Sequence, residues 1–218
     1  MSDEKRVRAR QLAHEAVAAG RPLAWFDELY REAAAGDAIV PWDDREPNAL
    51  MTRWLDGHPP LPGARALDVG CGTGDNGAEL ARRGCAVTAF DVSAAAIDAA
   101  RARYRDLSIT WEVASATDPP AAWRAAYDLV VEIYTLQCLP PALRAQAAAA
   151  LASLVAPGGT LLVIARAREP HEGEGAMPWP LTRAELEAIP LPMRSIDDVL
   201  DDETPPVRRW VAAFGRDP

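Results

Sequence analysis

The segment LDVGCGTG, residues 67–74, constrains the fold more than any other stretch of this chain. Gly70, Gly72 and Gly74 lie between a short apolar run, RALDV at 65–69, and a stretch of helical periodicity from Gly74 to Arg83. Glycine accepts positive φ and carries no side chain, so such a turn bends sharply and lets the backbone approach a ligand. A strand that turns through glycines into a helix is the first half of a βαβ unit. The spacing is G-x-G-x-G, not the dinucleotide G-x-G-x-x-G, and the loop offers no Lys or Arg to a phosphate. That counts against a nicotinamide-dependent dehydrogenase. Taken alone, the turn is equally compatible with a structural strand-to-helix connection.

The alternation continues beyond the turn. AVTAF (86–90), ITWEVA (109–114), YDLVVEIY (127–134) and GTLLVIAR (159–166) read as strands. Helices fall between them, one capped by Ser93 and one over Pro141–Leu154. Strands alternating with helices predict right-handed crossovers and a parallel sheet. Two last strands are expected near MRSIDDVL and RRWVAAF, after a helix capped by Thr182. Ahead of the sheet, three helical segments end near Gly20, Gly36 and Leu55, and form a cover over residues 1–60. The chain is expected to be one domain: this cover, a core over 64–166, a loop at 167–181, and a C-terminal helix and strand pair at 182–218. The loop is rich in Pro, Gly and Glu, too long for a simple connection, and is expected to act as a lid with Trp179 over the pocket.

Composition narrows the partners. The net charge of −9 argues against nucleic acid, whose phosphates need a basic surface. No run approaches the roughly 20 apolar residues of a membrane span. The opening MSDEKRVRAR carries no apolar segment behind it, so no signal peptide is expected. Cys71, Cys85 and Cys138 have neither disulfide nor metal-ligand spacing, which suits free thiols in a cytoplasm; no metal site is expected. Lys5 is the single lysine among 23 basic residues, a bias expected of a GC-rich bacterial genome.

Asp91 ends the strand after the glycine turn, 17 residues beyond Gly74. A carboxylate there can accept hydrogen bonds from both hydroxyls of a ribose; its bland role would be to cap the next helix. With these residues in order, ALDVGCGTGDNGAELARRGCAVTAFDVSAAAIDAARARY resembles the cofactor half of class I S-adenosylmethionine-dependent methyltransferases. The resemblance runs through YDLVVEIYTLQCLPP and LVAPGGTLLVIAR, covering roughly residues 64–166. It implies a Rossmann-like, seven-stranded, mostly parallel sheet with one antiparallel strand, and S-adenosylmethionine as cofactor, leaving as S-adenosylhomocysteine. It also implies that Gly70, Cys71, Gly72 and Gly74 wrap the methionine part and that Asp91 and Val92 meet the ribose. Asp68 would support the loop from below, and Asp75 would approach the methionine ammonium. Members commonly carry an acid after strand three; here stand Ala114, Ser115 and Ala116, with Ser115 and the Ala116 amide left to meet the adenine. Asp118 is expected to cap a helix ahead of Pro119.

The acceptor end is less constrained. Glu132, Tyr134, Thr135 and Gln137 sit at the carboxyl end of strand four, where open α/β sheets place ligands. Glu132 is the best-placed candidate base, or lines the cofactor. Arg166 either binds a substrate carboxylate or pairs with a lid acid. WFDELYREA and PWDDREPNALMTRWL look like the cover of thiopurine and tellurite-resistance methyltransferases, and Tyr30, Trp42 and Trp179 are expected to frame an aromatic pocket near the sulfonium, whose positive charge suits a cation–π contact. Trp25, Phe26 and Trp54 read as core. The expected function is methyl transfer to an O, N or S atom of a small molecule, with no nucleic-acid or membrane partner; monomer and homodimer stay open. Alternatives are thiol, halide or metalloid detoxification and a regulator that only holds S-adenosylmethionine or S-adenosylhomocysteine.

Overall fold

The computed structural model describes residues 3–173, 175 and 177–218, with side chains from residue 7 onward. Three helices come first: α1 (Asp3–Ala18), α2 (Ala24–Ala35) and α3 (Ala49–Gly57). Then β1 (Arg65–Val69), α4 (Asp75–Arg82), β2 (Ala86–Asp91), α5 (Ala94–Arg103), β3 (Ile109–Val113) and β4 (Tyr127–Ile133) alternate. The chain closes with α6 (Pro141–Leu154), β5 (Val155–Arg166), α7 (Arg183–Glu187), β6 (Met193–Leu200) and β7 (Arg208–Gly215). The strands form one seven-stranded sheet in the order β3-β2-β1-β4-β5-β7-β6. β7 runs antiparallel to both its neighbours, and β1 to β5 are parallel. The order reverses at β1 and β4, so the carboxyl ends of those strands open a crevice where α/β sheets hold ligands.

Both sheet faces are covered, which explains why β5 reads as a continuous apolar run instead of an alternating one. Leu161, Val163 and Ala165 pack with α6 and α7 on one face, and Leu162 and Ile164 with α3, α4 and α5 residues on the other. Each fully buried Leu or Ile of this kind contributes roughly 1.5–3 kcal/mol relative to exposure. The outer strand β6 carries Arg194, Asp197 and Asp198 outward, which guards the sheet edge against pairing with another chain.

Local signals act where the sequence puts them. Ser93 Oγ accepts from the Ala96 N–H to cap α5, and Thr182 with Glu185 forms a full capping box on α7. Gly36 ends α2 in the left-handed conformation. Asp118 behaves differently from expectation. It starts no helix; its N–H bonds the Ser115 carbonyl, and a short 3-10 turn at Ala121–Trp123 follows Pro120. The residue before a proline is biased to extended backbone, and only the single 3-10 turn forms after Pro119 and Pro120.

The N-terminal helices build a cluster of their own, with Leu12, Ala13, Trp25 and Leu29 buried. Met177, from the segment after β5, packs onto that cluster, so cover and segment meet each other. Positions 174 and 176 of the expected lid lie outside the described residues. No helix among the described residues is long and apolar enough to cross a membrane.

Candidate functional site

The glycine turn owes its shape to three positive φ angles, +60° at Gly70, +53° at Gly72 and +88° at Gly74. Crowding adds a second reason. A Cβ on Gly70 would stand 2.3 Å from Thr135 Oγ1, and one on Gly72 would stand 2.8 Å from the Tyr30 hydroxyl. A Cβ on Gly74 would meet the Trp111 ring at 2.5 Å. No other residue type fits these positions without displacing a neighbour.

Asp91 fastens the turn to the next strand. Its Oδ2 accepts from the Gly72 N–H at 3.0 Å and its Oδ1 from the Ser93 N–H at 2.9 Å. Burial pushes its pKa up, against the backbone N–H groups of Ser93, Gly72 and Val92 that favour the charged form. A carboxylate has roughly four acceptor positions, so capacity remains for an incoming hydroxyl. Val92, beside it, is exposed, and Cys71 is buried within the turn.

Asp68 lies under the turn, buried, where the nearby Gly77 backbone N–H favours its charged form. Its Oδ2 has no partner, and burial raises its pKa to about 7. Asp75 occupies a denser setting. Arg103 holds Asp43 through two 2.8 Å bonds and reaches Asp75 at 3.1 Å, while Thr73 Oγ1 donates within reach of both carboxylates. The Tyr104 hydroxyl also donates to Asp75. The carboxylate expected to meet a ligand ammonium is therefore engaged by an internal cation. The same cluster bolts the cover, through Asp43, to the glycine turn. The bonds from Arg103 and Thr73 hold Asp43 below the ordinary carboxylate range despite the opposing burial.

Two further contacts seat the cover. Asp27 of α2 accepts from Ser93 Oγ and from the Ala95 N–H, at 2.9 and 3.1 Å. Tyr30 is buried over Gly72, where Trp42 Nε1–H donates to its hydroxyl at 2.9 Å. Burial and the nearby Asp91 carboxylate raise the Tyr30 pKa well above its ordinary value. Trp25 and Phe26 stack at 4.1 Å behind this pair, with Trp25 only 2% exposed, as core residues do.

At the carboxyl end of β4, Glu132 is fully buried and its Oε1 accepts from the Thr135 and Leu136 N–H groups at 2.6 and 2.9 Å. It thereby shapes the 3-10 turn Leu136–Cys138. Its Oε2 has no partner, and burial lifts its pKa to about 7, against those two N–H bonds. The folded state thus keeps protons on Glu132 and Asp68 at pH values where an unfolded chain has released them. Stability falls as pH rises from about 5 through about 7. Glu132→Gln keeps the Oε1 acceptor and cannot ionise. Its melting temperature should match the parent near pH 5 and exceed it by several degrees near pH 8. Parallel melting curves for the two proteins across that range would show that Glu132 does not titrate as described.

Tyr134 follows with φ +65°, unusual for a bulky residue and a mark of a backbone held by its surroundings. Its hydroxyl accepts from Asn48 Nδ2–H at 3.1 Å, and its ring lies 4.7 Å from the Arg209 guanidinium carbon. Arg209 is buried and paired with Asp201 at 2.6 Å and Glu203 at 2.5 Å. Gln137 is buried, its Oε1 accepting from the Arg166 N–H at 2.7 Å. Trp179 donates its backbone N–H to the Gln137 carbonyl at 2.8 Å, and Arg144 stands over its ring at 5.6 Å. Ser115 Oγ bonds Thr117 Oγ1 at 2.8 Å, beside buried Ala116. Among the described residues no group of three or more His, Cys, Asp or Glu is arranged to hold a metal ion.

Sequence reasoning missed Asn48, Arg103 and Arg209. Asn48 had a visible signal, an Asn directly before an apolar helical run, and its Oδ1 caps α3 through the Leu50 and Met51 N–H groups. Arg103 and Arg209 had none, because their partners come from elements that only the fold brings near.

Comparison with known proteins bears on the fold that carries this site. Residues 66–159 match the family described as "Methyltransferase domain". A ubiquinone biosynthesis O-methyltransferase of Thiobacillus denitrificans is 38% identical over 116 residues, 52% of this chain and 49% of that protein. The chain thus spans about half the length of the curated relatives it matches. Among solved structures, the N-methyltransferase NodS of Bradyrhizobium japonicum, in complex with S-adenosylhomocysteine, superposes with a TM-score of 0.67 at 21% identity, covering 88% of this chain and 97% of that one. A Burkholderia thailandensis 1,6-didemethyltoxoflavin-N1-methyltransferase, with 1,6-didemethyltoxoflavin and S-adenosylhomocysteine bound, gives 0.69 at 18% identity, over 94% of this chain and 91% of that one. At such identities the likeness is one of fold.

Proposed function

We propose that this chain, which carries a class I S-adenosylmethionine-dependent methyltransferase domain, transfers a methyl group to an O, N or S atom of a small molecule. The observation that supports it most is the pairing of Asp91 with the glycine turn: one carboxylate clamps the Gly72 and Ser93 amides and keeps unused acceptor capacity. That arrangement suits a ribose diol beside a backbone that can be approached closely.

In this reading Asp91 and Val92 meet the ribose, Gly70, Cys71, Gly72 and Gly74 follow the methionine part, and Ser115 with the Ala116 amide borders the adenine. Tyr30 and Trp42 close that space from the cover. Asp68 and Asp75 hold the turn in shape. When bound, S-adenosylmethionine supplies a methyl group on a sulfonium, and S-adenosylhomocysteine remains. The chain's own work is to hold the acceptor in line and dry, and such positioning carries much of the rate of a displacement. Tyr134, Gln137, Arg166 and Trp179 form the acceptor wall, and the contact of Met177 with the cover helps exclude water. Glu132 is enclosed and committed to the Thr135 and Leu136 amides, so its role is to present that wall. The net charge of −9 and the roofed crevice favour a metabolite over a nucleic acid. Three free thiols suit a cytoplasmic setting.

Calorimetric titration with S-adenosylmethionine, S-adenosylhomocysteine and NAD tests the binding, and acceptor-dependent release of S-adenosylhomocysteine from a metabolite extract tests the chemistry. Both sulfur nucleosides should bind and NAD should not. Binding without any product from the extract would favour a cofactor-holding regulator, and no binding of either nucleoside would end the proposal.

A further inference from the structure

Arg166 is the one guanidinium, among the described residues, that is withdrawn from full exposure and has neither a hydrogen bond nor an ion pair. Its backbone is fixed on both sides. The N–H donates to Gln137 Oε1 at 2.7 Å, and the carbonyl accepts from the Leu181 N–H at 2.8 Å. The residue is therefore anchored where β4's turn, the end of β5 and the following segment converge. Directly across the antiparallel ladder stands Arg209, on the same face of the sheet.

Two guanidinium groups side by side would repel unless each had a counter-ion. Asp201 and Glu203 serve Arg209, and the Tyr134 ring lies against it. No carboxylate among the described residues serves Arg166. In a chain with nine excess negative charges, a half-buried cation left unpaired at the mouth of the crevice is a place for a ligand to complete.

We infer that the methyl acceptor carries a carboxylate and that Arg166 binds it. This rests on the methyltransferase reading above and names the acceptor class for the same site. One free guanidinium fork matches the two oxygens of a carboxylate. A phosphoryl dianion would ask for further cations, and the neighbouring Arg209 is already neutralised. The Tyr134 ring, held against Arg209, the ladder partner of Arg166, suits an aromatic or flat body behind the acid group.

The test uses matched probes: salicylate with salicylamide, 4-hydroxybenzoate with 4-hydroxybenzamide, and anthranilate with 2-aminobenzamide. Binding is measured by calorimetry on the full chain with S-adenosylhomocysteine present, for the parent, Arg166→Lys and Arg166→Met. At least one acid should bind the parent roughly tenfold or more tightly than its amide. The gap should close in Arg166→Met and survive in part in Arg166→Lys. Both variants should keep the parent's melting temperature and nucleoside affinity, because the guanidinium holds nothing in the fold. The inference is overturned if no acid outbinds its amide, or if the preference persists in Arg166→Met. Should S-adenosylhomocysteine itself fail to bind, the function proposed above falls, while the comparison of acid with amide on the unliganded chain still reads Arg166.

Discussion

Asp91→Ala should reduce S-adenosylmethionine affinity by roughly ten- to ten-thousandfold. Hydrogen bonds to a charged carboxylate contribute about 1.5–3 kcal/mol each, and one or two such bonds to ribose hydroxyls would be removed. The structure adds a second effect. The Gly72 and Ser93 amides would lose their acceptor inside a buried region, at about 1–3 kcal/mol for each left unsatisfied. Part of that loss is offset, because the variant no longer buries a carboxylate whose charged form is disfavoured there. The glycine turn should therefore loosen without the chain unfolding. Calorimetric titration of the folded variant, after a melting curve, separates the two effects. Unchanged affinity in a stable variant would reduce Asp91 to a clamp on Gly72 and Ser93.

Arg209→Met should be the most destabilising single change at the acceptor end. The guanidinium is 1% exposed as a residue and pairs with Asp201, whose side chain is itself only 11% exposed. Removing one member of a buried pair leaves the other charge uncompensated, typically at about 3–5 kcal/mol. Glu203, the second partner, is more than half exposed and can return to solvent, so the lower end of that range applies. For a chain of this size, about 3 kcal/mol corresponds to a fall of roughly 6–12 °C in melting temperature. The Tyr134 ring loses its cationic support at the same time. Asp201→Asn with Arg209 intact should cost less, because the amide oxygen still accepts from the guanidinium. A melting temperature within a degree or two of the parent in Arg209→Met would mean that the pair is solvated and braces nothing.

These two residues mark the division between what was legible and what was not. Asp91 is readable because everything that defines it is local. A strand, a glycine turn, a helix and a second strand fall within a short stretch, and chain sterics alone fix their order. The same holds for Ser93 and Thr182 as caps, and for β5, whose continuous apolar run already required cover on both faces. Asp75 was legible only in part. Its place at the first turn of α4 follows from the sequence, but its capture by Arg103 depends on α5 folding back beside the turn.

The sequence by itself determined the parallel βαβ core, the glycine turn with its acid, and the class of ligand that such a turn suits. Periodicity, glycine sterics and capping act over a few residues, and nothing distant can change them much. Only the tertiary structure decided how the acceptor end is built. Asn48 meets Tyr134 across 86 positions, and Arg209 reaches the same ring from the far hairpin. Those contacts exist because β4 lies beside β1 and β5 beside β7 in the sheet. Strand order is a property of how whole elements pack, and the charge left over when they have packed, on Arg166, is visible only once every other partner has been assigned.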